Sequence, residues 1–66
     1  MKGWVKDMKV KDYLKSNTNK IAYTIKDSKK SYLCNIFEAN SYFGNNDIKK
    51  IAYKYNNEQL PILYLQ

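Results

Sequence analysis

Two copies of one tetrapeptide, Lys20-Ile21-Ala22-Tyr23 and Lys50-Ile51-Ala52-Tyr53, stand thirty residues apart, and each opens a stretch in which apolar and polar side chains alternate. A period of two marks a half-buried strand, because successive side chains of a strand point to opposite faces of its sheet. After the first copy the alternation continues through Thr24, Ile25 and Lys26 to a polar turn, Asp27-Ser28-Lys29-Lys30, and a second apolar strand is expected from Ser31 to about Ile36. After the second copy it continues to Tyr55, Asn56 to Gln59 turn the chain, and Leu60 to Leu65 return it. Two hairpins of similar build follow. Pro61 has no N–H to donate to a ladder, so it belongs at the first position of its strand or facing outward. A match of this length supports the strand register and is no proof of duplication.

Before the first hairpin the period is helical. Val10, Tyr13 and Leu14 form one apolar stripe, whereas Met1, Trp4, Val5 and Met8 share the opposite face, so one amphipathic helix cannot serve both groups. A break near Asp7 resolves the conflict. Asp7 then caps a short helix running to about Ser16, Asp7 and Lys11 form an i,i+4 pair, Lys15 lies in the last turn, and Asn17-Thr18-Asn19 ends it. Residues 1–7 read as an N-terminal extension with Trp4 as a satellite contact. The middle is open between two readings: Phe37 to Asp47 is a short helix or a loop closed by the turn Gly44-Asn45-Asn46-Asp47, with Gly44 free to take positive φ. A helix from Ser31 to Phe43 competes with the second strand over the same residues.

The expected architecture is a single α+β domain over residues 1–66, one short N-terminal helix plus a four-stranded antiparallel sheet made of two hairpins. A chain of 66 residues buries only about 60 % of the surface it exposes when unfolded, which excludes a large multi-domain enzyme. A hydrophobic fraction of 44 % with ten aromatic residues is too apolar for a disordered tail. Width then matters. Four strands at about 4.8 Å span roughly 19 Å, and a helix is about 10 Å across, so one short helix leaves sheet surface uncovered. With Ile21, Tyr23, Ile25, Ile51, Tyr53 and Tyr55 turned to the helix, the other face carries Ala22, Thr24, Lys26, Lys50, Ala52 and Lys54, flat and cationic. Both alternations of Ser31–Ile36 and of Leu60–Leu65 contain large apolar side chains. Such strands are buried on both sides, either by the Phe37 to Phe43 segment wrapping beneath, or by a second subunit or another partner.

The chemistry is bounded by absences. The sequence has no His and one Cys, Cys34, which rules out Cys/His zinc sites, His-activated nucleophiles and an internal disulfide. Leu33, Ile36 and Phe37 beside Cys34 point to an ordinary buried thiol in a reducing compartment. The carboxylates Asp7, Asp12, Asp27, Glu38, Asp47 and Glu58 show no acid–base spacing, and no Gly-rich phosphate loop or calcium-loop spacing is present. No catalytic residue, cofactor or metal is expected, and the protein reads as a non-enzyme. No signal-peptide core follows Met1-Lys2, and the longest apolar run is Ile62 to Leu65, so a cytoplasmic protein without membrane association is expected.

Twelve lysines and no arginine against six carboxylates leave a net charge of +6. Lysine alone argues against sequence-specific base reading, which mostly uses the guanidinium fork. A genome rich in A and T would produce the same Lys, Asn, Ile and Tyr bias, so codon bias and a functional basic surface both account for the charge. Lysines beside strand-borne tyrosines suit phosphates and stacked bases, although seven Tyr in a small domain also serve packing. Met1 to Lys6 is similar to the start of a cold-shock domain, but the Gly- and Phe-rich strands of that family are missing.

The order Val10-Lys11-Asp12-Tyr13-Leu14 opening a helix, then a hairpin, a variable middle and a final hairpin, resembles small α+β proteins of phages, prophages and mobile elements of low-GC Gram-positive bacteria. The resemblance spans Met8 to Gln66 and rests on pattern. It implies a role in binding a host protein, as inhibitors of bacterial immunity such as anti-CRISPR proteins do. Many of those are acidic mimics of nucleic acid; the +6 charge here points instead to an acidic protein surface or a ribonucleoprotein complex. The expected partner contacts are Lys26, Lys50 and Lys54 as steering charges with Tyr32, Tyr42 and Phe43 as anchors. A weak, sequence-tolerant nucleic-acid binder is the alternative, and homodimerisation through the apolar strand faces is a third.

Overall fold

The computed structural model describes residues 8–66. The expectations placed on Asp7 as helix cap, on Trp4 and on an extension at 1–7 lie outside the described residues. Two helices and four strands follow in the order α1 (Val10–Lys15), β1 (Tyr23–Lys26), β2 (Ser31–Cys34), α2 (Ile36–Phe43), β3 (Ile48–Tyr53) and β4 (Pro61–Leu65).

The sheet corrects the expected architecture. Its spatial order is β2-β1-β4-β3, with antiparallel pairs at both flanks and a parallel β1–β4 pair at the centre. Both hairpins form, but the sheet is mixed and there are two helices. The second helix is the cause. It is about 12 Å long at 1.5 Å per residue and carries the chain back to the end at which β2 began, so β3 runs in the direction of β2 and β4 in that of β1. Parallel strands need such a long crossover, whereas a tight turn can only join antiparallel ones.

Sequence alone contains the start signal of α2. The Asn35 side-chain Oδ1 accepts from the Glu38 N–H at 2.8 Å while Glu38 Oε1 accepts from the Asn35 N–H at 2.9 Å. This reciprocal pair is a capping box, and it ends β2 at Cys34, short of the expected Ile36. At the other end, Gly44 accepts positive φ nowhere: its φ is −52°. What requires glycine is space, because an added Cβ would fall inside contact distance of the Asn40 backbone oxygen. The turn that follows also caps α1. Val10 N–H donates to the Asn46 carbonyl at 3.0 Å and Lys11 N–H to the Gly44 carbonyl at 3.0 Å, while Lys9 N–H donates to the Asp12 carboxylate. Two helix N–H groups that would otherwise lack acceptors are thus satisfied from a segment more than thirty residues away.

Both helices lie on one side. Val10, Tyr13 and Leu14 of α1 and Ala39 of α2 share one buried cluster with Tyr23, Ile25, Cys34, Ile48, Leu63 and Leu65 of the sheet. Cross-strand register places these sheet residues on a common face: Tyr23 pairs with Cys34, Ile25 with Leu63, Ile51 with Leu63. Two helices side by side are about 20 Å wide, comparable with the sheet, and they cover the middle of this face while Tyr53 at its margin stays 43 % exposed. The Phe37–Phe43 segment therefore does not wrap beneath the sheet; it supplies the second half of the same cover.

Ends of strands moved inward from the expected bounds. Ile21 is 70 % exposed and lies before β1, and the β3 ladder stops at Tyr53. Beyond it Tyr55 (φ 56°) and Asn56 (φ 55°) are both left-handed, closing a tight turn in which Asn57 N–H donates to the Lys54 carbonyl at 2.9 Å. Positive φ at both central positions bends the chain back too sharply for the alternation to continue through Tyr55. Pro61 takes the first position of β4, as its missing N–H requires.

Candidate binding face of the sheet

Period two and the pairing register together define the uncovered face. One row across the four strands reads Leu33, Thr24, Ile62, Ala52, and the next reads Ser31, Lys26, Tyr64, Lys50. The first row is apolar apart from Thr24, which is itself buried in the middle of it. The second row is cationic around a single ring. Among the described residues no helix packs on either row.

Tyr64 occupies the centre of the cationic row because β4 is an inner strand. Its neighbours on β1 and β3 place Lys26 Nζ 5.6 Å and Lys50 Nζ 4.7 Å from its ring centroid. Ammonium groups are attracted to the electron-rich ring face at such distances, by about 0.5–1 kcal/mol each where exposed. Lys29, Lys30 and Lys49 line hollows that Tyr64 also lines, so five lysines gather there with one carboxylate, Asp27. That carboxylate is engaged by the hairpin turn. Its Oδ1 accepts from the N–H groups of Lys29 and Lys30, both at 2.8 Å, and these two bonds hold its pKa below the ordinary value of 3.8. It is ionised at neutral pH and offsets one of the five lysine charges, so the cluster remains cationic, while its lone pairs face the turn amides.

The expected contact residues divide into two groups. Lys26 and Lys50 meet around Tyr64. Tyr32, Tyr42 and Phe43 form a separate aromatic cluster where β2 meets α2, with ring centroids 5.1 Å apart for Tyr32–Phe43 and 6.4 Å for Tyr42–Phe43. Lys54 joins neither, because it lies in the turn beyond the Tyr53–Pro61 pair, at the opposite end of the hairpin from Tyr64. Tyr64, Ile62 and Leu33 are the members of the face that residue spacing did not single out. Period two puts Ile62 and Tyr64 on one side of β4, but their meeting with Lys26 depends on the parallel pairing.

Cys34 is buried, and its thiol pKa is pushed up by desolvation first and by the Glu38 carboxylate second, the reverse of what a nucleophile needs. Among the described residues no group of three or more His, Cys, Asp or Glu side chains is placed to hold a metal ion, and no helix is long and apolar enough to cross a membrane. Comparison of the chain with family models, curated proteins and solved structures gave no match in any of the three.

Proposed function

We propose that this chain is a non-enzymatic binding protein, a phage-type accessory protein of the bacterial cytoplasm, that docks the Tyr64 end of its uncovered sheet face on a negatively charged surface of a host macromolecule. One observation carries the reading: a tyrosine ring bracketed by lysines from both neighbouring strands, on the face that no described helix covers. The flanking lysines steer an acidic partner, and the apolar row of Leu33, Ile62 and Ala52 beside them supplies area that gains from leaving water. An inhibitor of a host defence effector is one protein that works in this way, by occupying a surface and performing no reaction.

Protein is preferred to nucleic acid as the partner because the lysines stand over the ring that a base would stack on. A single strand would have to displace Lys50 before stacking on Tyr64, although the same lysines suit its phosphates. The discriminating experiment captures host lysate on the immobilised domain with and without nuclease, for the wild type and for a Lys26→Glu/Lys50→Glu variant. Expected is a specific protein retained after nuclease and lost with the charge reversal. Equal retention by the variant sinks the reading, and capture that nuclease abolishes moves the assignment to single-stranded nucleic acid.

A further inference from the structure

The two free edges of the sheet are treated differently. At β3 the edge is guarded: Lys49 and Lys50 lie on it, the register slips between Ile48 and Lys50, and Lys9 bridges Asp47 while Ile48 N–H donates to the Met8 carbonyl at 2.8 Å. Charged residues, irregular register and a covering segment are the usual means by which an edge is kept from pairing with another chain. At β2, Ser31-Tyr32-Leu33-Cys34, none of these is present: the strand has no charge and no proline, its register is regular, and among the described residues no strand pairs with its outer side.

Ladder phase shows what that edge offers. Asp27 N–H donates to the Lys30 carbonyl at 3.0 Å, which makes 27–30 a hydrogen-bonded pair. Hydrogen-bonded pairs alternate along an antiparallel ladder, so Ile25–Tyr32 and Tyr23–Cys34 are also bonded, and Ser31 and Leu33 turn their N–H and C=O groups outward. A groove runs along the same edge. It has a volume of about 560 Å³ and is lined by Tyr32, Leu33, Cys34, Glu38, Tyr42 and Phe43. Leu33 belongs to one face of β2 and Tyr32 and Cys34 to the other, so a hollow touching all three follows the strand's free side. Leu33 is 70 % and Tyr42 74 % exposed there.

We infer that the β2 edge accepts an extended peptide segment of a partner protein as a fifth strand, and that this segment alternates apolar and acidic residues. Alternation follows from the two faces. Side chains of an added strand that turn to the helix side meet Tyr32, Tyr42 and Phe43, which take apolar groups. Those that turn to the other side lie beside Leu33 and Ser31, and Lys29 and Lys30 at the head of β2 draw a carboxylate to the Ser31 end. Charge decides against a second copy of this chain as occupant, since each copy carries +6 and would bring lysines to lysines. The strand-addition edge is distinct from Tyr64 itself, which lies on β4 two strands away, although the lysines of the 27–30 turn border both.

The test uses fluorescence anisotropy with a labelled acetylated (Val-Glu)4 peptide on the whole protein. Its controls are (Val-Lys)4 and a (Val-Glu)4 peptide N-methylated at every residue, which keeps the side chains and loses every donor that a ladder of either direction needs. Expected is saturable binding of (Val-Glu)4 alone, weakened about tenfold or more by Tyr42→Ala and by Leu33→Pro, which removes an outward N–H. Lys50→Glu leaves it within about twofold, which separates this edge from the Tyr64 row. Absence of saturable binding, equal binding of the N-methylated peptide, or a dimer by light scattering that the peptide does not dissociate overturns the inference. If Leu33→Pro fails to fold, the N-methylated peptide on the wild-type protein decides.

Discussion

The ammonium group of Lys50 lies 4.7 Å from the ring centroid of Tyr64, on the side of the sheet turned away from both helices. Neither residue is near the other in sequence, and the contact exists because β3 and β4 pair with Lys50 opposite Tyr64. It joins the only cationic row of the described sheet to a ring that has no packing duty in the core.

Tyr64→Leu should keep the apolar area of the face and remove both cation–ring contacts. Each is worth about 0.5–1 kcal/mol at an exposed site, so the loss in folding free energy should stay below about 2 kcal/mol by urea titration. Partner binding should fall much more than stability does. A variant that unfolds, or one that binds its captured partner as the wild type does, would show that Tyr64 is a structural residue and no contact.

Tyr13 presents the opposite situation, a phenol with 5 % exposure whose hydroxyl finds no hydrogen-bond partner among its neighbours. Burial, with smaller contributions from Tyr53 and Tyr23, pushes its pKa up to about 12 from 10.0. The folded state therefore holds this proton more tightly than the unfolded one, and the contribution is complete below pH 10 and lost as pH rises towards about 12. Tyr13→Phe should remove an unsatisfied polar atom, raise stability at pH 7 by about 1 kcal/mol, and flatten the alkaline decline between those pH values. Urea midpoints of both proteins across that range measure it, and a destabilised variant would contradict the assignment.

At Gly44 the prediction concerns space. A Cβ there meets the Asn40 carbonyl oxygen, which is backbone and cannot swing aside, and the Gly44 carbonyl also caps α1 through Lys11. Gly44→Ala should cost about 1–3 kcal/mol, lowering the thermal midpoint, even though alanine is the better residue in an ordinary helical conformation. A neutral or stabilising outcome would mean that the end of α2 has room that the structure lacks.

Tyr55 is 86 % exposed and left-handed at φ 56°. A bulky residue pays about 1–2 kcal/mol in that region, and asparagine or glycine far less. Tyr55→Gly should therefore stabilise the domain by about 1 kcal/mol, read as a rise in urea midpoint at unchanged slope. An unchanged or lower midpoint would place compensating contacts at this ring.

Much of the local structure was legible. The alternation around Ile25 and Ile51 identified their strands and the side of each that is buried, the partner strands were legible as apolar on both alternations, and the i, i+3, i+4 stripe of Val10, Tyr13 and Leu14 identified α1. Asn35 and Glu38 contained the start of α2 as a capping-box spacing, in competition with strand-like periodicity at Tyr32 and Cys34. The aromatic contacts expected at Tyr32, Tyr42 and Phe43 do meet, but at the β2 edge and apart from Lys26 and Lys50.

What the chain alone determined is where its strands lie and, in β1 and β3, which side avoids water, because that depends on residue order at a spacing of two. Which strand lies beside which was decided in three dimensions, where α2 returns the chain across the sheet and sets β4 parallel to β1. Lys26 and Tyr64, thirty-eight positions apart, become neighbours by that route. The physical reason is one of range: periodic burial is a property of neighbouring residues, whereas strand direction and partner choice depend on where a connecting helix ends and on which surface it can cover.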